Sequence, residues 1–249
     1  MVRATGRVSS RIDQFDFKPG KTIAGKYNVE AALGAGWEGE VYKVVELKTG
    51  IHRAAKVFYP QRNVRDRAVH FYAAKLNRLR KCSVVIQYHN SETIRVQGIP
   101  ITCLISELVE GELLQAFVRR QRGRRLHTFE AMHLLYSLAV GLEQIHKAHE
   151  YHGDLHDGNV LVERLGIGFE VRLVDFYHWG PATRPRMQDD VIDAIRLLYD
   201  AVGGAPWYPK QPPEIKAICR GLRRDLISRQ FPTARHLREY LETFIWSEP

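Results

Sequence analysis

The stretch of sequence that decides the fold is HGDLHDGNVL, residues 152–161. Asp154 and Asn159 lie five positions apart, and the segment ends in apolar residues, so we expect a loop that leads into a short strand. A carboxylate can accept a proton from a hydroxyl group, and an amide oxygen is a neutral ligand of the hard kind that Mg²⁺ prefers. A second carboxylate, Asp175, ends the apolar segment VRLVD. The pattern therefore predicts a proton acceptor beside two oxygen ligands for Mg²⁺.

A glycine-rich segment, LGAGWEGEVY, occupies residues 33–42 and carries Gly34, Gly36 and Gly39 in G-x-G-x-x-G spacing. In a dinucleotide-binding fold this spacing leads into a helix. Here a β-branched run follows and predicts a strand. A glycine loop between two strands can cover phosphate groups and donate backbone N–H groups to them. We predict such a loop, with an ordinary hairpin as the alternative.

Lys56 lies in the apolar segment AAKV, 17 residues after Gly39. An ammonium group in an apolar strand is costly unless it meets an anion. The side chain therefore either extends along the surface to solvent or contacts an anion, for which triphosphate oxygens are the obvious candidate. The lysine alone leaves both interpretations open.

The order of elements predicts an α+β fold with two unequal lobes. Short apolar segments and one amphipathic helix fill the first part of the chain, and helical periodicity dominates after residue 111. The predicted strands are 27–29, 39–45, 54–58, 84–88, 93–96 and 101–106, and the helix is 65–81. Later helices are indicated by apolar stripes over 135–145, 191–202 and 237–244, and a hairpin by 159–162 with 171–174.

Composition excludes several classes of protein. The 249 residues include 37 Lys and Arg against 28 Asp and Glu, a net charge of +9. Because the basic residues are spread and no nucleic-acid-binding motif accompanies them, nucleic acid is not an expected partner. We expect no membrane span and no secretory signal, since no apolar run is long enough. Three cysteines far apart form neither a disulfide framework nor a zinc ribbon, so we expect a cytoplasmic location.

Taken together, the motifs over residues 26–246 resemble the protein kinase superfamily. The resemblance implies a small β-rich N-lobe, a mainly helical C-lobe, and phosphate transfer from ATP with Mg²⁺. We expect a basic N-terminal arm over 1–25 and a single domain over 26–249. Within it the N-lobe is 26–106, the hinge 107–112 and the C-lobe 113–249.

The resemblance also implies roles for individual residues. Asp154, Lys56 and His156 are the expected catalytic residues, and Asn159 and Asp175 the expected Mg²⁺ ligands. The residues expected to bind ATP are Gly34, Gly36, Gly39, Val41, Ala54, Lys56, Glu107, Val109 and Leu161. Asp190 resembles the residue that braces the catalytic loop from a buried helix.

Four departures from the family pattern define an atypical form. Gly153 stands where the catalytic loop usually has arginine, and His156 stands where protein kinases have lysine. Met187 comes only twelve positions after Asp175, so the activation segment is short. The first helix contains no glutamate to pair with Lys56, and the leucine pattern puts Tyr72 near that position.

Three functions follow from this pattern. The leading prediction is a Ser/Thr protein kinase that acts on a protein substrate or is switched by a regulatory protein. HGDLH and the short activation segment also resemble small-molecule kinases of the aminoglycoside and choline kinase type. The missing helix glutamate leaves a third alternative, a nucleotide-binding pseudokinase that acts as a regulatory partner. The phosphate acceptor and the oligomeric state stay open.

Overall fold

The structure is a computed structural model that describes residues 11–166, 168–176 and 180–245. The chain divides into two units. The first unit comprises the residues up to Asn77 together with Gln87–Leu108, and the second comprises Arg78–Ile86 together with the residues from Val109 onward.

An antiparallel sheet of six strands and one helix form the first unit. Its elements are β1 (Thr22–Ile23), β2 (Tyr27–Ala35), β3 (Gly39–Glu46), β4 (His52–Phe58), α1 (Arg67–Arg78), β5 (Tyr88–Val96) and β6 (Ile99–Glu107), with a 3₁₀ turn at Val64–Asp66. The order across the sheet is β1-β2-β3-β4-β6-β5. The strands predicted at 27–29, 39–45, 54–58, 93–96 and 101–106 are confirmed within longer strands. The helix predicted over 65–81 is confirmed, but it is shorter at both ends, spanning Arg67–Arg78.

The strand predicted at 84–88 is wrong. Residues 84–86 are buried without forming a strand, and β5 begins only at Tyr88. Val85 makes a single parallel bridge to Leu173, whose N–H donates to the Val84 carbonyl at 2.7 Å. An apolar run buried by tertiary packing has the same sequence pattern as a buried strand, and periodicity does not separate them.

The two faces of the six-stranded sheet have different roles. Tyr42, Val44, Ala55 and Val57 lie on one face, where they are at most 1% exposed and belong to the apolar core of this unit. Side chains alternate between faces along a strand. The neighbouring residues of β3 and β4 therefore point to the opposite face, which carries the functional residues described below.

Residues 11–25 differ from the predicted basic arm because they pack into the first unit. Ile12 and Phe17 are each 4% exposed, and the Phe17 ring stacks on Tyr42 with 5.1 Å between ring centroids. Ile23 in β1 is also buried. Apolar residues at irregular spacing give no periodic signal, yet they cover the core face of the sheet. Residues 1–10 of the predicted arm lie outside the described residues.

A buried carboxylate, Glu40, anchors this N-terminal segment. It accepts hydrogen bonds from the backbone N–H groups of Phe15 at 2.7 Å and Asp16 at 3.2 Å. It also accepts from the hydroxyls of Tyr42 and Tyr59. Burial acts to raise the pKa of Glu40, but these hydrogen bonds outweigh it and lower the pKa. Burial and the bond to Glu40 raise the pKa of Tyr59 to about 12.

The second unit is mainly helical. Its elements are β7 (Glu112–Leu113), α2 (Leu114–Arg120), α3 (Thr128–Lys147), β8 (Val160–Leu165), β9 (Gly168–Leu173), α4 (Arg184–Ala201), α5 (Gly204–Trp207), α6 (Pro213–Cys219), α7 (Arg224–Gln230) and α8 (Ala234–Thr243), with 3₁₀ turns at Arg122–Arg124, Tyr208–Lys210 and Arg220–Leu222. β7, β8 and β9 form a small antiparallel sheet.

Helix α3 forms the centre of the second unit. Its buried stripe includes Leu135, Leu138 and Leu142, and the helix packs against α4, α8 and β9. The stripes predicted on α3 and α4 are both confirmed, because residues three and four apart share one face of a helix. None of the helices in the described ranges combines the length and apolar composition needed to cross a bilayer.

Asp193 of α4 should make the free energy of unfolding depend on pH. Burial, followed by the nearby carboxylates of Asp190 and Asp189, raises the pKa of Asp193 to about 6. Between about pH 4 and 6 the folded protein therefore holds a proton that the unfolded chain releases, so this group lowers stability as the pH rises through that window. We expect Asp193→Asn to raise the free energy of unfolding by roughly 1–2 kcal/mol at about pH 7.5. Urea unfolding at about pH 4 and about pH 7.5 checks this, since an equal gain at both would contradict the electrostatic cause.

Candidate functional site

The glycine-rich segment is the connection between β2 and β3, as the sequence predicts. The Gly36 N–H donates to the Gly39 carbonyl at 2.9 Å and closes the turn. A Cβ added at Gly34 or Gly36 would meet no atom within 4 Å, whereas a Cβ at Gly39 would overlap the backbone carbonyl oxygen of Val57. Gly39 is therefore required by close packing against β4. The space beside the backbone of Gly34 and Gly36 is open.

This difference between the glycines gives a stability prediction. We expect Gly39→Ala to lower the free energy of unfolding by about 2–3 kcal/mol, because the backbone of Val57 has to move. The matched control, Gly36→Ala, adds the same methyl group in open space and should change stability by less than about 0.5 kcal/mol. Chemical denaturation of both variants measures the difference. Equal losses would show that Gly39 is not held against β4.

Three of the predicted nucleotide-binding residues share one face of the sheet. Val41 lies directly opposite Lys56 in the β3–β4 ladder, and opposite residues of antiparallel strands point to the same face. Ala54 lies two positions before Lys56 on β4 and therefore points the same way. All three are partly exposed, in contrast to the core face. The first unit thus brings Val41, Ala54 and Lys56 together beside the glycine-rich segment.

Lys56 meets an anion from its own unit. Its Nζ atom lies 2.9 Å from Oε2 of Glu38, and its side chain is 11% exposed. The ring centroid of Tyr72 on α1 is 4.8 Å from the same Nζ, and that of Phe58 is 5.2 Å away. Of the two interpretations that the sequence left open for Lys56, the structure supports contact with an anion. It also places Tyr72 beside the lysine, as the leucine pattern indicated.

Asp66, the acid closest in sequence to α1, is engaged elsewhere. Its carboxylate accepts hydrogen bonds from the Asn63 side-chain amide at 2.9 Å and from the Thr102 hydroxyl. The contact between Glu38 and Lys56 is the main feature of the site that sequence reasoning missed. The signal that could have revealed it is an acid in the glycine-rich segment together with a helix that contains none.

The end of β6 carries Glu107, one of the residues predicted to bind ATP. Its N–H group donates to the Gln87 carbonyl at 2.9 Å, so it is used within the first unit. The Glu107 carbonyl accepts from the Ser106 hydroxyl at 3.3 Å. A contribution of Glu107 to nucleotide binding therefore falls on its carbonyl oxygen. Val109 belongs to the second unit, and its role stays a prediction.

In the second unit, buried Asp190 organises the loop that decided the fold. Its carboxylate accepts the backbone N–H groups of His152 and Gly153, each at 2.8 Å, and lies 3.0 Å from Nε2 of His146. Asp190 is 0% exposed. Gly153 has a φ of +82°, a conformation that glycine adopts without strain. The predicted brace between Asp190 and the loop is therefore confirmed.

Asn159 joins the loop to the strand end that carries Asp175. Its side-chain amide donates to the Asp154 carbonyl at 2.8 Å and to Asp154 Oδ2 at 3.3 Å. Its own carbonyl accepts the Val174 N–H at 3.1 Å. Because Asp175 follows Val174 directly, these hydrogen bonds link Asp154 and Asn159 to the backbone next to Asp175. Asp175 has a φ of +55°, a strained value that recurs at functional sites.

The buried side chain of His152 contacts the residues on both sides of Asp175, Val174 and Phe176. The Nε2 atom of His152 lies 3.0 Å from the Val174 carbonyl oxygen, and its ring centroid is 4.5 Å from that of Phe176. His152 is 0% exposed. The His152 side chain therefore packs against the segment that carries Asp175.

His156 has a defined tautomer when it is neutral. Its Nδ1 atom accepts the Gly158 N–H at 3.1 Å, so the ring proton lies on Nε2. That Nε2 atom is 3.8 Å from Oδ2 of Asp154. The side chains of Asp154 and His156 are 61% and 54% exposed, so both are available to a ligand. Leu161 lies on β8, and its role in ATP binding stays a prediction.

The short segment before α4 is held by contacts within the second unit. The Arg186 guanidinium donates to the Tyr151 hydroxyl and to the Pro181 carbonyl, both at 2.9 Å. Thr183 caps the helix by accepting the Arg186 N–H at 3.5 Å. Thr183 is the only Ser, Thr or Tyr between Tyr177 and Asp190 in the sequence. Its hydroxyl is therefore used as a helix cap. Residues 177–179 lie outside the described residues.

The donors in the second unit fit the requirements of Mg²⁺. Asn159 directs its amide nitrogen at Asp154, so its amide oxygen points away from that contact and can serve as a ligand. Together with the Asp175 carboxylate it offers two hard oxygen donors, and Mg²⁺ is commonly held by one or two protein oxygens beside phosphates and water.

Comparison with known proteins gives a consistent result. The sequence model of the family described as "Protein kinase domain" matches residues 27–215. The chain is 29% identical over 164 residues to serine/threonine-protein kinase PknA of Mycobacterium tuberculosis, which covers 63% of this chain and 36% of that protein. It is 29% identical over 162 residues to serine/threonine-protein kinase pkn2 of Myxococcus xanthus, covering 62% and 18%. Smooth muscle myosin light chain kinase of Gallus gallus is 27% identical over 159 residues, covering 62% and 8%. The matched region is about a third of PknA and less of the other two.

Proposed function

Because this chain belongs to the protein kinase family, we propose that it transfers the γ-phosphate of ATP to serine or threonine hydroxyls of a protein, with Mg²⁺ as the metal. The observation that carries the proposal is the assembly around Asp154. A buried carboxylate braces the loop, and Asn159 joins Asp154 to the strand end that carries Asp175. An assembly held by this many charge-assisted and backbone hydrogen bonds is preorganised for phosphate transfer.

Asp154 has the role of orienting the acceptor hydroxyl and accepting its proton. Its exposed carboxylate leaves room for a hydroxyl group at hydrogen-bond distance. Asn159 and Asp175 hold Mg²⁺ in this proposal, and bound Mg²⁺ supplies charge neutralisation to the phosphates. His156 donates a hydrogen bond from Nε2–H to a phosphate oxygen. A neutral imidazole stabilises negative charge less than the lysine of other protein kinases.

Most residues proposed to bind the nucleotide lie in the first unit, and two, Val109 and Leu161, lie in the second. The open space beside Gly34 and Gly36 suits a close approach of phosphates. Lys56 supplies a cation for the phosphate oxygens, and Val41 and Ala54 supply apolar surface for the base. The Glu107 carbonyl, Val109 and Leu161 complete the set of proposed nucleotide contacts.

We further propose that the kinase is cytoplasmic and needs no phosphorylation of its short activation segment. Each of the three cysteines is a buried free thiol, which fits a reducing compartment. The contacts of Arg186 hold the segment before α4 without a phosphate group. Control then falls to a regulatory protein, or the enzyme is constitutively active.

The proposal is tested by the acceptor that receives labelled phosphate. The chain is incubated with γ-labelled ATP and Mg²⁺ in parallel with Ser/Thr peptide mixtures, with aminoglycosides and choline, and alone. We expect label on serine or threonine of a peptide or of the chain itself. Label confined to a small molecule would favour the aminoglycoside and choline kinase alternative, which HGDLH and exposed His156 support. ATP that binds and transfers to no acceptor would favour the pseudokinase.

A further inference from the structure

Helix α1 of the first unit lacks the glutamate that normally positions the strand lysine in protein kinases. In protein kinases an ion pair between the strand lysine and a helix glutamate must be in place for phosphate transfer. The sequence of α1, RAVHFYAAKLNR, contains no acid. Where such a carboxylate would be expected, the Tyr72 ring lies 4.8 Å from Lys56 Nζ. An aromatic face attracts the ammonium group, but it does not fix a direction for its N–H donors as a carboxylate does.

Glu38 provides a carboxylate at the same ammonium group. The Nζ–Oε2 distance is 2.9 Å, and the two side chains are only 11% and 22% exposed. Partial burial makes such a charged hydrogen bond stronger than an exposed ion pair. Lysine has a long flexible stem, so this contact restricts the position of the ammonium group. An ammonium group has three N–H donors and can bind a carboxylate and a phosphate oxygen at the same time.

Three contacts fix the backbone and neighbours of Glu38. Its carbonyl accepts the Tyr59 N–H at 2.9 Å. The preceding residue, Trp37, lies under the Arg62 guanidinium at 3.8 Å from the ring centroid. The following residue, Gly39, packs against the backbone of Val57. The tip of the glycine-rich segment is therefore held on the chain that follows β4, and the carboxylate of Glu38 is held toward Lys56.

We propose that Glu38 is the positioning residue of Lys56 and takes over the part of the helix glutamate. This inference rests on the proposed function of the site. The orienting carboxylate comes from the loop that covers the phosphates, so nucleotide contact with that loop and alignment of the lysine are coupled. A carboxylate that only competed with phosphate for Lys56 would have the opposite effect on turnover, and this gives the test its direction.

The experiment compares Glu38→Gln with a matched control, Glu30→Gln. Glu30 forms an ion pair of the same length, 2.9 Å, with Lys43 in the same unit. We expect Glu38→Gln to lower kcat about 10- to 100-fold with a smaller change in the KM for ATP, since a charged hydrogen bond to the lysine is lost. Glu30→Gln should leave both constants unchanged. A fall in kcat of less than about 3-fold, faster turnover, or tighter ATP binding in Glu38→Gln would overturn the inference.

A rescue variant separates positioning from general damage. Because the Tyr72 ring lies beside Lys56 Nζ, adding Tyr72→Glu to Glu38→Gln returns a carboxylate from the helix. We expect the kcat of the double variant to be at least about 3-fold higher than that of Glu38→Gln alone. Failure to recover in a folded double variant contradicts the inference. If thermal unfolding shows that it does not fold, Glu38→Asp takes its place, and a kcat no higher than that of Glu38→Gln is the contradicting result.

Labelling of Lys56 distinguishes failure of this inference from failure of the proposed function. Pulsed acetic anhydride with mass spectrometry measures the exposure of each amine and needs no enzyme activity. We expect Lys56 to be acetylated at least about 3-fold faster in Glu38→Gln than in the wild type, with Lys43 unchanged. In Glu30→Gln we expect Lys43 to be acetylated faster than in the wild type and Lys56 at an unchanged rate. Equal Lys56 rates refute the inference even in an active enzyme, whereas the expected pattern in a protein without phosphate transfer refutes only the proposed function.

Discussion

Replacing Asp154 with alanine is expected to lower the rate of phosphate transfer at least about 1,000-fold while ATP binding changes by less than about 3-fold. Asp154 is the one carboxylate that both lies in the HGDLH loop and is fixed by Asn159, through its carbonyl at 2.8 Å and its Oδ2 atom at 3.3 Å. Alanine keeps the carbonyl contact, which preserves the loop. It removes the group that orients the acceptor hydroxyl and takes its proton.

Asp157 offers a matched control in the same loop. Its side chain is 56% exposed, and its nearest basic atom is Nδ1 of His156 at 4.0 Å. Its backbone carbonyl accepts the Gln115 N–H at 3.2 Å, a contact that alanine retains. Asp157→Ala should therefore transfer phosphate within about 3-fold of the wild type. Initial rates with γ-labelled ATP measure both variants, and equal rates for wild type and Asp154→Ala would exclude the proposed role of Asp154.

Replacing Asp190 with asparagine is expected to lower the free energy of unfolding by about 3 kcal/mol. Transfer should fall at least about 100-fold. The Asp190 carboxylate is fully buried and accepts two backbone N–H groups, one from His152 and one from Gly153. An asparagine amide has one oxygen to accept one of them, and its NH₂ group faces the other donor. The loop that carries Asp154 then loses its brace.

The neighbouring residue, Asp189, tests whether the effect is specific. Its side chain is 46% exposed and pairs with Arg224, and exposed ion pairs contribute little to stability. Asp189→Asn should change the free energy of unfolding by less than about 0.5 kcal/mol and leave transfer intact. Urea unfolding and initial rates report on both variants. An Asp190→Asn protein as stable and active as Asp189→Asn would show that the hydrogen bonds to the loop are not needed.

Much of the fold and of the second-unit site could be predicted because the deciding signals are local. The HGDLHDGN spacing predicted a loop that brings Asp154 and Asn159 together, and the structure joins them by a hydrogen bond of 2.8 Å. The apolar stripe over 191–202 predicted a buried helix, and the family resemblance placed Asp190 on it; the observed α4 begins earlier, at Arg184. A buried acid at such a position needs donors, and the loop N–H groups provide them.

The features that sequence reasoning missed depend on contacts between distant residues. Nothing near Phe15 or Phe17 indicates that Glu40, some 25 positions later, anchors their segment. The Glu38–Lys56 pair joins a loop and a strand 18 positions apart. Val84–Ile86 gave a strand pattern because burial, whatever its cause, selects apolar residues.

The most direct test of the account is a single turnover of the wild-type chain, in excess over γ-labelled ATP, with Mg²⁺ and a Ser/Thr peptide mixture. ATP binding is measured in the same samples, so that occupancy is known. We expect bound ATP to become ADP and the label to be recovered on serine or threonine. ATP that stays bound and intact, with Asp154→Ala behaving identically, would contradict this expectation.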